Sequence, residues 1–255
     1  MARRFLDRGA RVIATTREPA RLAELAARGA EVRAMAAGET GTIEIPEGAL
    51  VLHSIPVIEI DGSANEVTPQ LVESLSATPK RMVYLSTTGV YGSVRDVDEN
   101  TPAAPNSERE KMRLAAEEAV RSGPWSSLVL RPAAIYGPGR GIQVSMREGR
   151  FQLAGAGDNF VSRIHVDDLA AHAEAALLSD VTGAYPVGDE LPCRSREIAE
   201  FCAELLGVAM PPSASRESLH ETRRADRRVD GRAIRKLLGI TLQYPTYRTG
   251  VPASV

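Results

Sequence analysis

The chain has 255 residues, enough for one large α/β domain or for one domain with a small appendage. Its apolar share (43%) and charged share (25%) are ordinary for a globular protein, and a net charge of −2 provides no basic surface for nucleic acid or an anionic membrane. Cys193 and Cys202 lack the paired spacing of a disulfide framework or a zinc site, and no stretch is as long and apolar as a membrane span. We therefore expect a cytoplasmic protein with no metal and with neither nucleic-acid nor membrane partners.

The first part of the chain alternates predicted helices and strands. Helical spacing of apolar residues and short apolar runs between Gly and Pro are the signals used. In chain order they predict a helix over 1–8, a strand at Arg11–Thr15, a helix at Pro19–Arg28, a strand at Glu31–Met35, a short strand at Thr42–Ile45, a strand at Ala49–Ile55, a helix at Pro69–Ser76 and a strand at Arg81–Ser86.

The second part continues the alternation and then becomes richer in Gly and Pro. It predicts a loop over 92–107, a helix at Glu108–Ser122, a strand at Ser127–Arg131, and helices at Val166–Leu178, Ser195–Leu206 and Gly231–Leu238. The arginines between Arg223 and Arg228 are expected to form a solvated helix face. Strands alternating with helices indicate an α/β fold with a doubly wound parallel sheet. Residues 138–255 are expected to lie mainly beyond the carboxyl ends of the strands, on the substrate side, as a small α/β region.

Four motifs occur in a fixed order along the chain. They are Leu85-Ser-Thr-Thr-Gly-Val-Tyr-Gly92, Leu130-Arg-Pro-Ala-Ala-Ile-Tyr-Gly-Pro-Gly139, Arg163-Ile-His-Val-Asp-Asp-Leu-Ala170 and Tyr185-Pro-Val-Gly-Asp189. In sequence and order they resemble the extended short-chain dehydrogenase/reductases, the NAD-dependent epimerase/dehydratase family. The resemblance covers about residues 1–207 and implies a Rossmann-like nucleotide-binding part over 1–137, with a strand and a helix returning to it near 160–190.

The start of the chain departs from this family. The family opens with a strand and a Gly-x-x-Gly-x-x-Gly turn that cradles the cofactor pyrophosphate at a helix N-terminus. This chain begins inside that helix, so the 255 residues lack the strand, which would lie in the middle of the sheet, and the glycines. Either the true start lies upstream of Met1, which the absence of a capping residue favours, or Arg11–Thr15 pairs instead with Val51–Ile55.

The active-site motif departs as well. The resemblance implies a Tyr and a Lys four residues apart on one helix face, with a Ser or Thr that orients the substrate. Thr88 fills the Ser/Thr position, whereas Arg109 stands at the Tyr position and Arg113 at the Lys position. Arginine cannot release a proton near neutral pH, so Arg109 cannot be the acid/base. The two arginines either clamp a phosphate or carboxylate or form an exposed helix face, and Tyr91 either replaces the missing Tyr or packs in the turn.

The resemblance also implies residues that hold the cofactor. Thr16 and Arg17 follow the strand at Arg11–Thr15, which corresponds to the second strand of the family. No acidic residue stands there, which favours NADP over NAD unless Arg17 is simply solvated. His53, Ser54 and Ile55 would run beside the cofactor, and Pro132 and Ala133 would border the nicotinamide pocket. At the helix start near residue 166, His165 would hold the loop, and Asp167 and Asp168 would favour the positive end of the helix dipole.

Two functions remain open from the sequence. One is an NAD(P)-dependent oxidoreductase or epimerase/dehydratase-like enzyme that acts on a small polar or nucleotide-linked substrate. The other is a non-catalytic nucleotide-binding or sensor protein that kept the cleft and lost the acid/base; a truncated product that binds nothing is a third reading. The helix at Glu108–Ser122 carries alanines on one face, which permits a homodimer through paired helices.

Overall fold

Four parallel strands form the central sheet of the computed structural model, which describes residues 1–36, 38, 41–219 and 224–255. In sheet order they are Gly183–Val187 (β13), Ser126–Pro132 (β8), Arg81–Leu85 (β6) and Leu50–His53 (β3). Strand β3 pairs with β6, with Leu50 opposite Arg81, and β13 pairs with β8, with Val187 opposite Pro132. All four strands therefore end at the same edge of the sheet.

Helices cover both faces of this sheet, because successive side chains of a strand point to opposite sides. One face packs on the helix Val166–Leu178 (α6), and the buried residues of that cluster include Val83, Leu128, Leu130, Leu169, Ala176 and Ile234. The other face packs on the helix Glu108–Arg121 (α4), with Met82, Tyr84, Val129, Ala116 and Val120 buried together. The sheet is thus doubly wound, as predicted, and each fully buried large apolar side chain stabilises it by about 1.5–3 kcal/mol.

A separate two-stranded parallel sheet holds the first two strands. Ile13–Thr16 (β1) pairs with Glu31–Ala34 (β2), from Ile13 opposite Glu31 to Thr16 opposite Ala34. Among the described residues, neither strand pairs with β3. The predicted alternative, in which Arg11–Thr15 pairs with Val51–Ile55, is therefore wrong, and the edge of β3 opposite β6 faces a cleft.

The remaining elements are short and flank the two sheets. The helices are Ala2–Asp7 (α1), Ala23–Ala27 (α2), Thr68–Glu73 (α3), Ile142–Arg147 (α5), Ser195–Leu206 (α7), Arg232–Leu238 (α8) and Tyr247–Gly250 (α9). The strands are Ile58–Ile60 (β4), Ser63–Asn65 (β5), Asp96–Val97 (β7), Ala134–Tyr136 (β9), Leu153–Ala154 (β10), Phe160–Val161 (β11), Arg163–His165 (β12), Cys193–Arg194 (β14), Ser213–Ala214 (β15) and Arg228–Val229 (β16). The part after residue 137 adds a cluster of its own, with Ile142, Leu153, Ile198 and Tyr247 buried.

Most predicted elements are present within one to three residues of their predicted ends. The predicted strand at Thr42–Ile45 is only an isolated bridge from Ile43 to Leu75, and the predicted loop over 92–107 contains β7. The helix predicted at Pro19–Arg28 begins as a 3-10 turn at Pro19–Leu22. Of the arginines predicted to form a solvated helix face, Arg224 is helical and exposed, but Arg227 is buried and Arg228 lies in β16. Arg223 lies outside the described residues.

Candidate functional site

A cleft of about 1710 Å³ separates the two-stranded sheet from β3. One wall includes Val12, Ile13 and Thr15 of the β1 segment, and the other includes Leu52, His53 and the two residues after β3. Its volume exceeds the range of about 300–1,000 Å³ that is usual for small-molecule sites. The cleft meets the carboxyl end of β3, so it lies where open α/β sheets bind ligands.

A chain of buried polar groups runs beside one wall of this cleft, and two of its members, His53 and Glu66, line the cleft. The Nε2 of His53 lies 2.8 Å from the Thr68 hydroxyl, and that hydroxyl donates to the Glu66 carboxylate at 2.5 Å. Because Thr68 gives its single proton to Glu66, it accepts from His53, which fixes the imidazole as the Nε2–H tautomer. Burial lowers the pKa of His53 to about 4, with the Arg113 charge acting in the same direction. His53 is therefore a neutral donor at physiological pH.

Arg113 stands at the end of this chain. Its guanidinium lies 3.2 Å from the Glu66 carboxylate and donates to the backbone oxygens of Ile55 at 3.0 Å and Leu85 at 2.8 Å. It also lies over the Tyr84 ring, 4.8 Å from the centroid. The predicted role of Arg113 in an anion clamp would require a ligand to replace Glu66, because the protein already supplies these acceptors. Arg109 is exposed one helical turn earlier.

The turn after β6 carries Thr88. The Thr87 side chain begins it by accepting from the Gly89 amide at 3.1 Å. Gly92 ends it at φ +55°, and a Cβ there would lie 2.0 Å from the Ala104 oxygen, so only glycine fits. The guanidinium of Arg227 holds the turn from the far end of the sequence, by donating to the Thr88 oxygen at 2.6 Å and to the Gly92 oxygen. The sequence predicted a solvated side chain for Arg227, which is wrong because the guanidinium is buried against this turn. Nothing in the local sequence pattern marks that contact.

Tyr91, also in this turn, is fully buried. Arg131 covers its ring at 4.9 Å and forms a two-fold pair with Glu117, at 2.7 Å and 3.0 Å. The Ser86 hydroxyl donates to the same carboxylate at 2.5 Å. Burial raises the pKa of Tyr91, which disfavours release of its proton. The geometry thus gives Tyr91 a packing position behind the turn rather than a place on an open surface.

The structure distributes the predicted cofactor residues over three places. His53, Ser54 and Ile55 line the cleft together, next to Arg113. Thr16 ends β1 on the opposite side, followed by an exposed Arg17. Pro132 and Ala133 are buried at the carboxyl end of β8, where the Ala133 amide donates to the Val187 oxygen at 2.8 Å.

His165 lies at the start of α6 next to a serine and an aspartate. Its Nε2 is 3.1 Å from the Ser254 hydroxyl, and Asp167 lies 3.6 Å from Nδ1. However, Nδ1 accepts the Asp167 backbone amide at 3.2 Å, so the ring proton is on Nε2 and faces Ser254. A histidine protonated on that nitrogen cannot take a proton from serine. His165 therefore caps the helix and contacts the C-terminal segment through Ser254. Asp168 also anchors the end of the chain, because its carboxylate accepts the amides of Gln243 and Tyr244.

Two further observations concern only the described part of the chain. There, no three His, Cys, Asp or Glu side chains come close enough together to hold a metal ion. Nor does that part contain a helix of the length and apolar character needed to cross a membrane. Both cysteines are buried thiols.

The fold defines a Rossmann-like α/β protein. The family model described as "NAD dependent epimerase/dehydratase family" matches residues 62–188, which include the turn at Thr88, α4 and the strands β8 and β13. The chain belongs to this family.

Three similar proteins illustrate the relationship. A 3-diazoavenalumate denitrifying reductase from a Streptomyces species is 31% identical over 150 residues, which are 53% of this chain and 49% of that protein. The chain thus spans about half the length of this curated relative. A solved structure from Silicibacter pomeroyi, described as a functionally unknown conserved protein, is 30% identical with a TM-score of 0.74, over 99% of this chain and 92% of that one. MoeE5 in complex with UDP-glucuronic acid and NAD shares the fold at 20% identity and a TM-score of 0.75, over 99% and 92%.

Proposed function

We propose that the protein binds a nicotinamide dinucleotide in the cleft between β1 and β3 and acts as an NAD(P)-dependent oxidoreductase or epimerase-like enzyme. The substrate class that we infer is a small polar or nucleotide-linked molecule. The observation that carries the proposal is the position of the cleft at the carboxyl end of β3, with His53, Ser54 and Ile55 on its wall. Family membership and a reductase relative support the same reaction class.

The residues present fit the walls of a dinucleotide site but not all of it. The volume is sufficient, the wall beside β3 offers the exposed Ser54, and Arg17 follows β1 as a cation suited to a 2′-phosphate. The 255 residues contain no Gly-x-x-Gly-x-x-Gly turn, so the chain supplies no glycine cradle for the pyrophosphate. A bound nicotinamide would supply hydride chemistry; this chain's own residues would place it between β1 and β3.

A second candidate function is non-catalytic nucleotide binding, and the state of Arg113 favours it. In the resembling enzymes a Lys at this position tunes a Tyr, but here the guanidinium is bound by Glu66 and two backbone oxygens. Arg109, at the Tyr position, cannot donate or accept a proton in catalysis near neutral pH. A protein of this kind would bind the dinucleotide without catalysing a reaction.

Two measurements, made one after the other, test the proposal. A calorimetric titration with NADPH and NADH should give saturable binding, and cooperative melting without binding would overturn the cofactor assignment. Loss of absorbance at 340 nm, with NADPH and a panel of nucleotide-linked and small carbonyl substrates, then separates the two functions. Turnover supports the enzyme; binding without turnover, combined with activity gained in Arg109→Tyr, supports the non-catalytic protein.

A further inference from the structure

A second pocket, of about 660 Å³, shares none of its lining residues with the cleft. Its walls come from β7 and the following Asp98, from the segment after β13, and from β16 with α8. The parallel pairing of β7 with β16 closes one side of it. We refer to this space as the acidic pocket.

Carboxylates outnumber guanidinium groups on its walls. Asp96 pairs with Arg228 at 2.6 Å, and Asp230 pairs with Arg232 at 2.5 Å. The third arginine, Arg235, donates to the Gly188 oxygen at 2.7 Å and approaches Glu190 only to 3.9 Å. Two further carboxylates, on Asp98 and Asp189, line the pocket without an ion pair to any described residue. The acidic pocket therefore has a local excess of negative charge.

Asp189 is the unusual member of this set. Only 3% of the residue is exposed, and one carboxylate oxygen accepts the Leu191 amide at 3.3 Å. The other oxygen, Oδ2, is buried without a hydrogen-bond partner among the described residues. The nearby guanidinium of Arg163 donates instead to the Val161 oxygen and to the Cys193 sulfur, both at 3.2 Å. A buried polar atom that lacks a partner costs about 1–3 kcal/mol, more for a charged group, so a donor supplied by a ligand would be favoured.

We propose that the acidic pocket binds a ligand that carries a primary ammonium group; because Asp189 Oδ2 has almost no accessible surface in this structure, the Asp189 side chain must turn towards the pocket to accept an N–H of that group. The unpaired carboxylate of Asp98 adds electrostatic attraction at the same pocket. An ammonium group is compact and has three donors and no acceptor, which matches a site that offers acceptors and negative charge. A metal ion is disfavoured, since no group of three or more suitable ligands occurs among the described residues. This inference does not depend on the proposed dinucleotide function.

The test is an NMR titration of the uniformly ¹⁵N-labelled chain at pH 8 with n-butylammonium. Saturable shifts should centre on the amides near Asp98, Asp189 and Asp230. Butyltrimethylammonium has the same charge but no N–H, and n-butanol has no charge, so neither should saturate the site. Asp189→Asn should weaken n-butylammonium binding at least tenfold, the change expected from loss of one charge-assisted hydrogen bond. Asp158→Asn, an exposed acid outside the pocket, should leave it unchanged.

The pH dependence provides an independent check. Burial raises the pKa of Asp189 to about 7, against the opposing charges of Arg163 and Arg235 and with a small contribution from Asp168. A protonated Asp189 carries no charge to attract the ligand, so affinity should fall by up to about tenfold per pH unit below 7. Asp98, whose pKa is lowered by its hydrogen bonds to Thr101 and Asn100, stays charged over this range.

Several results would overturn the proposal. They are no saturable n-butylammonium binding by the folded chain, equal binding by Asp189→Asn, equal binding of butyltrimethylammonium, and tight Mg²⁺ binding in place of the amine. If Asp189→Asn does not fold, Asp98→Asn replaces it. That variant should weaken n-butylammonium binding severalfold, and unchanged affinity would count against the site.

Discussion

The guanidinium of Arg113 and the carboxylate of Glu66 lie 3.2 Å apart with both side chains more than nine-tenths buried, so a buried ion pair lies next to the cleft that Glu66 lines. The pair joins α4 to the segment that precedes α3. Through Arg113 it also joins the carboxyl ends of β3 and β6, because Ile55 and Leu85 supply the other acceptors. The same helix position that the resemblance assigns to a catalytic Lys thus has a structural role in this chain.

The first prediction concerns this ion pair. Glu66→Ala should lower the free energy of unfolding by about 3 kcal/mol, because it leaves a buried guanidinium without its counter-charge. Glu108→Ala removes the exposed partner of Lys111 and should change the stability by less than about 1 kcal/mol. Urea unfolding of both variants and the parent measures the difference. Equal effects would show that the Glu66 pair is not buried in solution.

The second prediction concerns Arg227 and the turn that carries Thr88. Arg227→Ala removes donors to three backbone oxygens, those of Thr88, Gly92 and Val94. Hydrogen exchange of the amides over 88–94 should therefore quicken at least tenfold, since each bond to a charged donor contributes about 1.5–3 kcal/mol. Arg121→Ala, at the exposed end of α4, should leave exchange in the turn unchanged. Unchanged exchange in Arg227→Ala would mean that the turn is held by its own hydrogen bonds.

The third prediction concerns cofactor preference and depends on the proposed function. Arg17→Glu should weaken NADPH binding relative to NADH by about tenfold or more, because an acid repels the 2′-phosphate that Arg17 would attract. The matched control is Arg21→Glu, because Arg21 lies in the following 3-10 turn and is paired with Glu18. Calorimetric titration with both cofactors gives the ratio of the NADPH and NADH dissociation constants. If Arg17→Glu leaves the ratio unaltered, Arg17 is a solvated side chain and the preference for NADP has no support.

The fourth prediction concerns pH and His53. Its folded pKa of about 4 lies below the ordinary value of 6.5, so the unfolded chain binds the proton more readily. The contribution of neutral His53 to the free energy of unfolding is therefore complete above pH 6.5. It is lost as the pH falls from about 6.5 towards 4, by up to about 3 kcal/mol. Unfolding free energies of the parent and of His53→Gln across this range isolate the effect, since the other described histidines remain in both. Parallel curves would contradict the burial of His53.

The fifth prediction concerns Asp189, whose shift has the opposite sign. Its folded pKa of about 7 lies above the ordinary value of 3.8, so the folded chain holds the proton that the unfolded chain releases. Stability should fall as the pH rises from about 4 to 7, and Asp189→Asn should remove that loss. Relative to the parent, the variant should therefore gain stability above pH 7 and gain little near pH 4. Thermal unfolding at several pH values measures the gain.

Local sequence patterns were sufficient to predict the fold class, the order of the main elements and the family. The strands at Arg81–Leu85 and Ser126–Pro132 each contain a short apolar run, at 82–85 and 128–130, that follows a proline, and α4 has apolar residues at helical spacing. Four local motifs in a fixed order were sufficient for the family, because each depends on residues that are adjacent in the chain.

The contacts and burial of the candidate site residues could not be predicted from local sequence patterns. Glu66 lies 47 positions from Arg113, and Arg227 lies 139 positions from Thr88, so no local spacing reports either contact. Burial separated Tyr91 from the open cleft and left Asp189 without a partner for one oxygen. Periodicity records which side of an element is apolar, but the partner of a buried charge depends on which distant segments the fold brings against it.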